Sequence, residues 1–157
     1  KGLVGNMARA PKGGDTDQVR AVASGECGVA LSNSYYVARL LKSSKPEDRA
    51  VTDKVRVVFP NQGTSGTHVN IAGAAVAKHA KHPEAAIAFM EYLASPAAQN
   101  YFADGNNEFP VAKGVHSDNP ALKAMGADHF KGDQIHLTVV AKNLTKVQQM
   151  LDRVGYK

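Results

Sequence analysis

Two adjacent tyrosines, Tyr35 and Tyr36, carry the most distinctive chemistry in this sequence. They follow a short apolar run at residues 28–31 and a polar turn, Ser32-Asn33-Ser34, and they open an apolar-periodic stretch reaching about Leu41. The pattern predicts strand, turn and helix. Ser34 is the expected N-cap, its hydroxyl accepting from an orphan N–H of the first helical turn. In a strand, neighbouring side chains point to opposite faces. In the first turn of a helix they stand ~100° apart, so both phenol oxygens can converge beyond the helix end. The helix dipole favours negative charge at that point. Paired phenolates there would suit a hard, highly charged cation such as ferric iron, because hard ions prefer oxygen donors. Packing or plain surface exposure is the ordinary fate of a Tyr-Tyr pair, so the metal reading depends on what else the chain holds.

The elements that must position this pair come from one ordinary domain's worth of sequence, 157 residues, enough for a sizeable core. With 43% hydrophobic and 21% charged residues, the composition is that of a globular protein rather than a disordered one. No run approaches the roughly 18 apolar residues of a transmembrane helix, so membrane insertion is not expected. Residues 1–6 lack the basic-then-apolar pattern of a signal peptide. Lys and Arg exceed Asp and Glu by 19 − 14 = 5, which permits an acidic partner. The basic residues are scattered, with little aromatic interleaving, whereas a nucleic-acid groove wants a clustered stripe. No nucleic-acid partner is therefore expected. A single cysteine, Cys27, has no internal disulfide partner and reads as a buried thiol at the start of an apolar strand.

Taken in order, residues 3–10 read as a weak extended segment ending at Pro11. Gly13-Gly14 forms a loop, after which Asp15 is the expected cap of a helix, with Gln18 as the return half of a capping box. Val19, Val22 and Ala23 supply its apolar stripe and Gly25 its stop. The strand, turn and tyrosine helix follow. Residues 42–48 read as a polar loop, 55–59 as a strand ended by Pro60, 61–67 as a flexible loop, and 68–76 as an alternating strand. His79 and His82 flank a helix boundary at Pro83 and read as exposed linker histidines rather than ligands. Residues 84–93 form an amphipathic helix with Ala86, Ile87, Met90 and Leu93 on one face. Ser95-Pro96 restarts a helix through Phe102, and Asp104 to Glu108 reads as a turn without the length or order of a calcium loop. A short helix near residues 121–125 and a long one at 138–154 complete the chain, the latter with Val140, Leu144, Val147 and Leu151 inward.

Three blocks together resemble the periplasmic ferric-iron-binding proteins of ABC transporters, a branch of the class II periplasmic binding proteins. They are Pro11-Lys12-Gly13-Gly14-Asp15-Thr16-Asp17-Gln18, residues 25–36 with the tyrosine pair, and Leu93-Ala94-Ser95-Pro96-Ala97-Ala98-Gln99 followed by Asn107-Glu108-Phe109-Pro110-Val111. The middle block is the specific one, and the likeness runs over residues 3–155. It implies an α/β fold of the periplasmic-binding-protein type, a mixed sheet flanked by helices, forming part of a two-lobe hinge fold. It further implies Tyr35 and Tyr36 as iron ligands, with Asn33, and Ser34 at the helix start, near an accompanying carbonate or phosphate. Family members are about twice this length, so the chain matches a C-terminal half. Residues 1–62 then belong to the C-terminal lobe, 63–68 to the hinge crossover, 69–115 to a segment packing on the N-terminal lobe, and 116–157 to helices returning to the C-terminal lobe. The partners implied are an ABC permease in the membrane and the N-terminal half, as part of the same protein or as a separate chain, and the location implied is the periplasm.

The resemblance implies capture without catalysis, the lobes closing on the metal by a hinge. One rival is a class II binding protein for another small anion such as phosphate or a carboxylate, held on helix N-termini with the tyrosines merely lining the cleft. A hydrolase is a second. Serines and His68, His116, His129 and His136 are present, but no Gly-x-Ser-x-Gly elbow accompanies them. A basic nucleic-acid module is the third and would show steep salt dependence.

Overall fold

The computed structural model describes residues 2–10, 12–126 and 130–156. Eight helices are found among them: α1 (Gly2–Gly5), α2 (Asp15–Ser24), α3 (Ser34–Leu41), α4 (Pro46–Thr52), α5 (Pro83–Leu93), α6 (Pro96–Asn106), α7 (Pro120–Ala124) and α8 (Leu137–Arg153). His129 lies outside the described residues.

Local chemistry explains where the helices begin and end. Gly14 caps α2 in an extended conformation, and Asp17 reaches back to accept its N–H at 2.8 Å. The return half of the expected box is thus Asp17, while Gln18 donates to the Lys12 carbonyl at 2.7 Å and ties the preceding loop down. Gly25 ends α2 at φ 81°, and the Glu26 N–H then bonds the Ala21 carbonyl at 3.0 Å, as left-handed helix ends require. Ser95 caps α6 by accepting from the Ala98 N–H at 3.3 Å. Two helices stand where extended or loop structure was expected, α1 in residues 3–10 and α4 in 42–48. The signals for α4 are Pro46 at its first turn and acidic Glu47 and Asp48 beside it, both favourable at a helix N-terminus.

Helices α2, α3 and α4 pack together, and α3 also meets α7. Asp48 is buried and bridges this group, accepting from Arg20 of α2 at 2.8 Å and from the Ser43 hydroxyl at 2.6 Å. The core joins Ala38 of α3, Ala103 of α6, and Ala121, Leu122 and Met125 of the α7 region, with Val37, Val57 and Phe109 against it. Buried Asn119 seals one edge, donating to the Ala103 carbonyl at 2.7 Å and to Asn107 Oδ1 at 3.1 Å, while its own Oδ1 accepts from the Ala121 N–H at 2.9 Å. Such saturation is what a buried amide needs.

The three expected strands, residues 28–31, 55–59 and 68–76, form no ladder. The isolated parallel bridge between Thr67 and Gly132 is the sole strand-like pairing among the described residues. A strand exists only with a neighbour to take its N–H and C=O groups, and among the described residues none pairs with these segments. The period-2 pattern is still visible in 55–59, where Val55, Val57 and Phe59 are half-buried and Arg56 and Val58 exposed. The mixed sheet is therefore a correction for this chain among the described residues. So is the inward face of α8: no residue of it is buried, and Leu144 and Val147 are exposed. In α5, likewise, Ile87 is exposed while Ala86, Met90 and Leu93 are only half-buried.

The bridge at Thr67 is firmly held. Thr67 exchanges backbone bonds of 2.8 Å with Lys131 and Asp133, and the Gln62 amide accepts from the Lys131 N–H at 2.6 Å. Gly66 sits at φ +95° with the Lys131 and Gly132 backbone in the place of any Cβ, so only glycine fits there. Phe59 stacks on Phe130 with centroids 4.4 Å apart, fastening the same two stretches.

Candidate metal centre

Helix α3 begins one residue earlier than a Ser34 cap allows: Asn33 is the N-cap and Ser34 the first helical residue. Asn33 makes no side-chain cap bond. Its donors turn to Asp15 instead, the backbone N–H at 2.8 Å and Nδ2 at 3.1 Å, both to Oδ2. The Ser32 hydroxyl adds a longer contact of 3.4 Å to the same oxygen. Asn33 Oδ1 in turn accepts from Asn70 Nδ2 at 3.3 Å. The turn before the tyrosines is thus anchored on the first residue of α2 and touches a segment 37 residues downstream.

Tyr35 and Tyr36 lie side by side on the first turn of α3, both half-buried. Their ring centroids are 4.4 Å apart with planes tilted by 36°. The Arg39 guanidinium, near the C-terminal end of α3, stands over the Tyr36 ring at 5.4 Å from its centroid, a cation–π contact. The Tyr35 hydroxyl titrates above the ordinary phenol value. Its hydrogen bond with Tyr36 is the first cause, followed by partial desolvation and the negative charges of Tyr36 and Asp15, while Arg39 opposes them.

The raised Tyr35 hydroxyl has a measurable consequence. A phenol whose folded pKa is raised stabilises the fold below the free value of about 10 and loses that contribution as pH climbs through the raised value. In an alkaline titration followed by near-ultraviolet phenolate absorbance, one tyrosine of the parent should ionise later than free tyrosine. Tyr36→Phe should bring that step down, because the principal cause is removed. A late step that persists in Tyr36→Phe would assign the shift to another residue.

The site is thus built of oxygen donors: two phenols at a helix N-terminus with one carboxylate behind them. Among the described residues, no group of three or more His, Cys, Asp or Glu gathers to hold a metal, and His79 and His82 are exposed. A surface depression lined by Arg9, Lys12, Asp17, Arg20 and Glu26 does not include the tyrosines. Its charges are largely satisfied internally, Arg9 pairing with Glu26 at 2.7 Å and Arg20 with Asp48 at 2.8 Å. Sequence analysis singled out the tyrosines and Asn33 as candidates but did not pair Asp15 with Asn33. Asp15 read as a helix cap, and no periodicity pairs residues 18 apart.

The family model for bacterial extracellular solute-binding proteins matches residues 1–128. The iron uptake protein A2 of Synechocystis sp. is 49% identical over 159 residues, covering 100% of this chain and 45% of the relative. A solved Trichodesmium protein (IdiA, FutA), in complex with iron and citrate, is 51% identical with a TM-score of 0.93, over 99% of this chain and 48% of that one. The ferric binding protein of Campylobacter jejuni is 40% identical with a TM-score of 0.88, over 99% and 48%. The chain thus spans less than half the length of the curated relative it matches. Sequence and fold agree across nearly all of this chain, and it belongs to the bacterial extracellular solute-binding protein family.

Proposed function

We propose that this chain is the tyrosine-bearing half of a periplasmic protein that captures ferric iron and hands it to an ABC importer. The observation that carries the reading is the Tyr35–Tyr36 pair, side by side on the first turn of α3. Ferric iron is acidic enough to displace the phenol protons, so uptake releases protons and weakens in acid. The role is binding and delivery, with no reaction of its own. The relatives named for iron uptake and ferric binding support the cargo. Tyr35 and Tyr36 would be its ligands here, with the remainder supplied by the other half of the protein. That half would also cover the exposed apolar faces of α5 and α8, since faces of this kind seek a partner. The membrane permease of the importer would receive the closed, loaded form. No helix among the described residues is long and apolar enough to cross a membrane.

The test is a visible absorption titration with ferric nitrilotriacetate at neutral pH. Phenolate bound to ferric iron gives a charge-transfer band that neither free tyrosine nor the chelate produces. A band that grows with iron and saturates supports the reading. A chain that gains thermal stability from phosphate and develops no band, with the other half supplied, would point instead to a small-anion binder. At the start of α3 the carboxylate of Asp15 argues against that rival, because it already takes the Asn33 donors that a bare anion would need there.

A further inference from the structure

We propose that the tyrosine-bearing lobe is not complete within this chain: the other half of the protein threads into it, pairing strands with residues 28–31 and 55–59 and covering Val29, Leu31 and Val58. The inference rests on the reading of this chain as one half of a larger protein and does not depend on the cargo.

Side chains alternate between two faces along an extended segment, and in both segments one face meets the rest of the chain. Val57 packs against the core cluster, while Ala30, Val55 and Phe59 are half-buried. The opposite face is open. Val29 is 84% exposed, Leu31 80% and Val58 77%, more than any other large apolar side chain among the described residues. Arg56 shares the outer face with Val58, and its long stem can carry the charge out to water from beneath a cover. The edges are open too. Among the described residues, no backbone N–H or C=O of residues 28–31 or 55–59 makes a hydrogen bond. Folded domains pair nearly all such groups, and an apolar run with a free edge is a template for another strand. A sheet bounded by helices on one side needs a second layer on the other.

What fills these places follows from the rest of the protein. This chain keeps its fold over 99% of its length in a solved chain of which it spans only 48%. The segments therefore hold these positions in the complete molecule, where more than half of the length is available to pair with them. A second copy of this chain would instead set one net charge of +5 against another. On this arrangement the division between the two halves does not follow the boundary between the lobes. The other half meets residues 28–31 and 55–59 as well as the segment downstream of residue 68.

The test is amide hydrogen exchange on the complete protein, both halves together and free of iron. Amides of residues 28–31 and 55–59 should exchange at least about a hundredfold more slowly than in an unstructured chain. In the same protein, Val29→Lys and Val58→Lys should each lower the melting midpoint by several degrees, because each places an unpaired charge under a cover. On an open surface both would leave the midpoint unchanged. Exchange at the unstructured rate overturns the proposal. So does protection confined to residues 68–76, which would limit the other half to the downstream segment. Protection that disappears on dilution together with a dimer assigns the edges to a second copy and overturns it as well. The exchange measurement needs no variant, so a lysine variant that fails to fold does not remove the test. Titration of the same protein with ferric nitrilotriacetate reads the cargo separately. A charge-transfer band with unprotected segments overturns this proposal and leaves the ferric reading standing, and protected segments without a band do the reverse.

Discussion

Replacing both Tyr35 and Tyr36 by phenylalanine is expected to abolish the ferric charge-transfer band while leaving the fold intact. Each single replacement should weaken iron binding by more than about a hundredfold, since supporting groups one shell further out already cost about 10- to 100-fold. The reason lies in what phenylalanine keeps. It retains the ring, so the 4.4 Å ring contact and the packing of the first turn of α3 survive. It removes only the oxygen, which is the donor a hard cation requires. The thermal midpoint should therefore move little, because both side chains are only half-buried and α3 is anchored further along by the buried Ala38 and Leu40. The band should fail in proportion to the oxygens removed, partly in each single variant and wholly in the double. A double variant that still shows the parent's band would assign the ligands elsewhere in the chain.

Much of this arrangement is legible in the sequence, and the failures have physical causes. Helices α2, α3, α5, α6 and α8 fall close to their expected positions because each is announced by local signals: Gly25 as a stop, Ser95-Pro96 as a start, and an apolar spacing of three and four along α8. The side-by-side tyrosines are legible for the same reason, since adjacency and a helix start fix their relation locally. Strands are different. Val55, Val57 and Phe59 show the alternation that a strand needs, yet a ladder depends on a neighbour that no local pattern can supply. The outward-lying Leu144 and Val147 teach the same lesson for α8. An amphipathic pattern states which face wants cover, while the cover itself depends on the rest of the fold. Asp15 fails in the opposite direction. Its local role as a helix start is real, and its second role toward Asn33 arises only when α2 and α3 meet in space.

That meeting depends on a small core, and Leu122→Ala should expose the dependence. Leu122 is 1% exposed and lies in the cluster that joins Ala38 of α3 to Ala103 of α6. Its neighbours are largely alanines, whose short side chains leave the leucine to fill the space between three helices. Removing it leaves a cavity that alanines cannot fill by rotamer change, so the cost should be about 2–5 kcal/mol. In a domain of this size that lowers the melting midpoint by on the order of 10 °C. The tyrosines themselves are untouched, so well below the midpoint the charge-transfer band should keep its position, with iron affinity reduced only severalfold through the loosened seating of α3. Thermal melting and iron titration on the same samples then separate the two layers of the site. The tyrosine variants should lose the band and keep the melt, and Leu122→Ala should lose stability and keep the band. If Leu122→Ala instead melts like the parent, α7 does not seat α3, and the tyrosine pair owes its position to Asp15, α2 and α4.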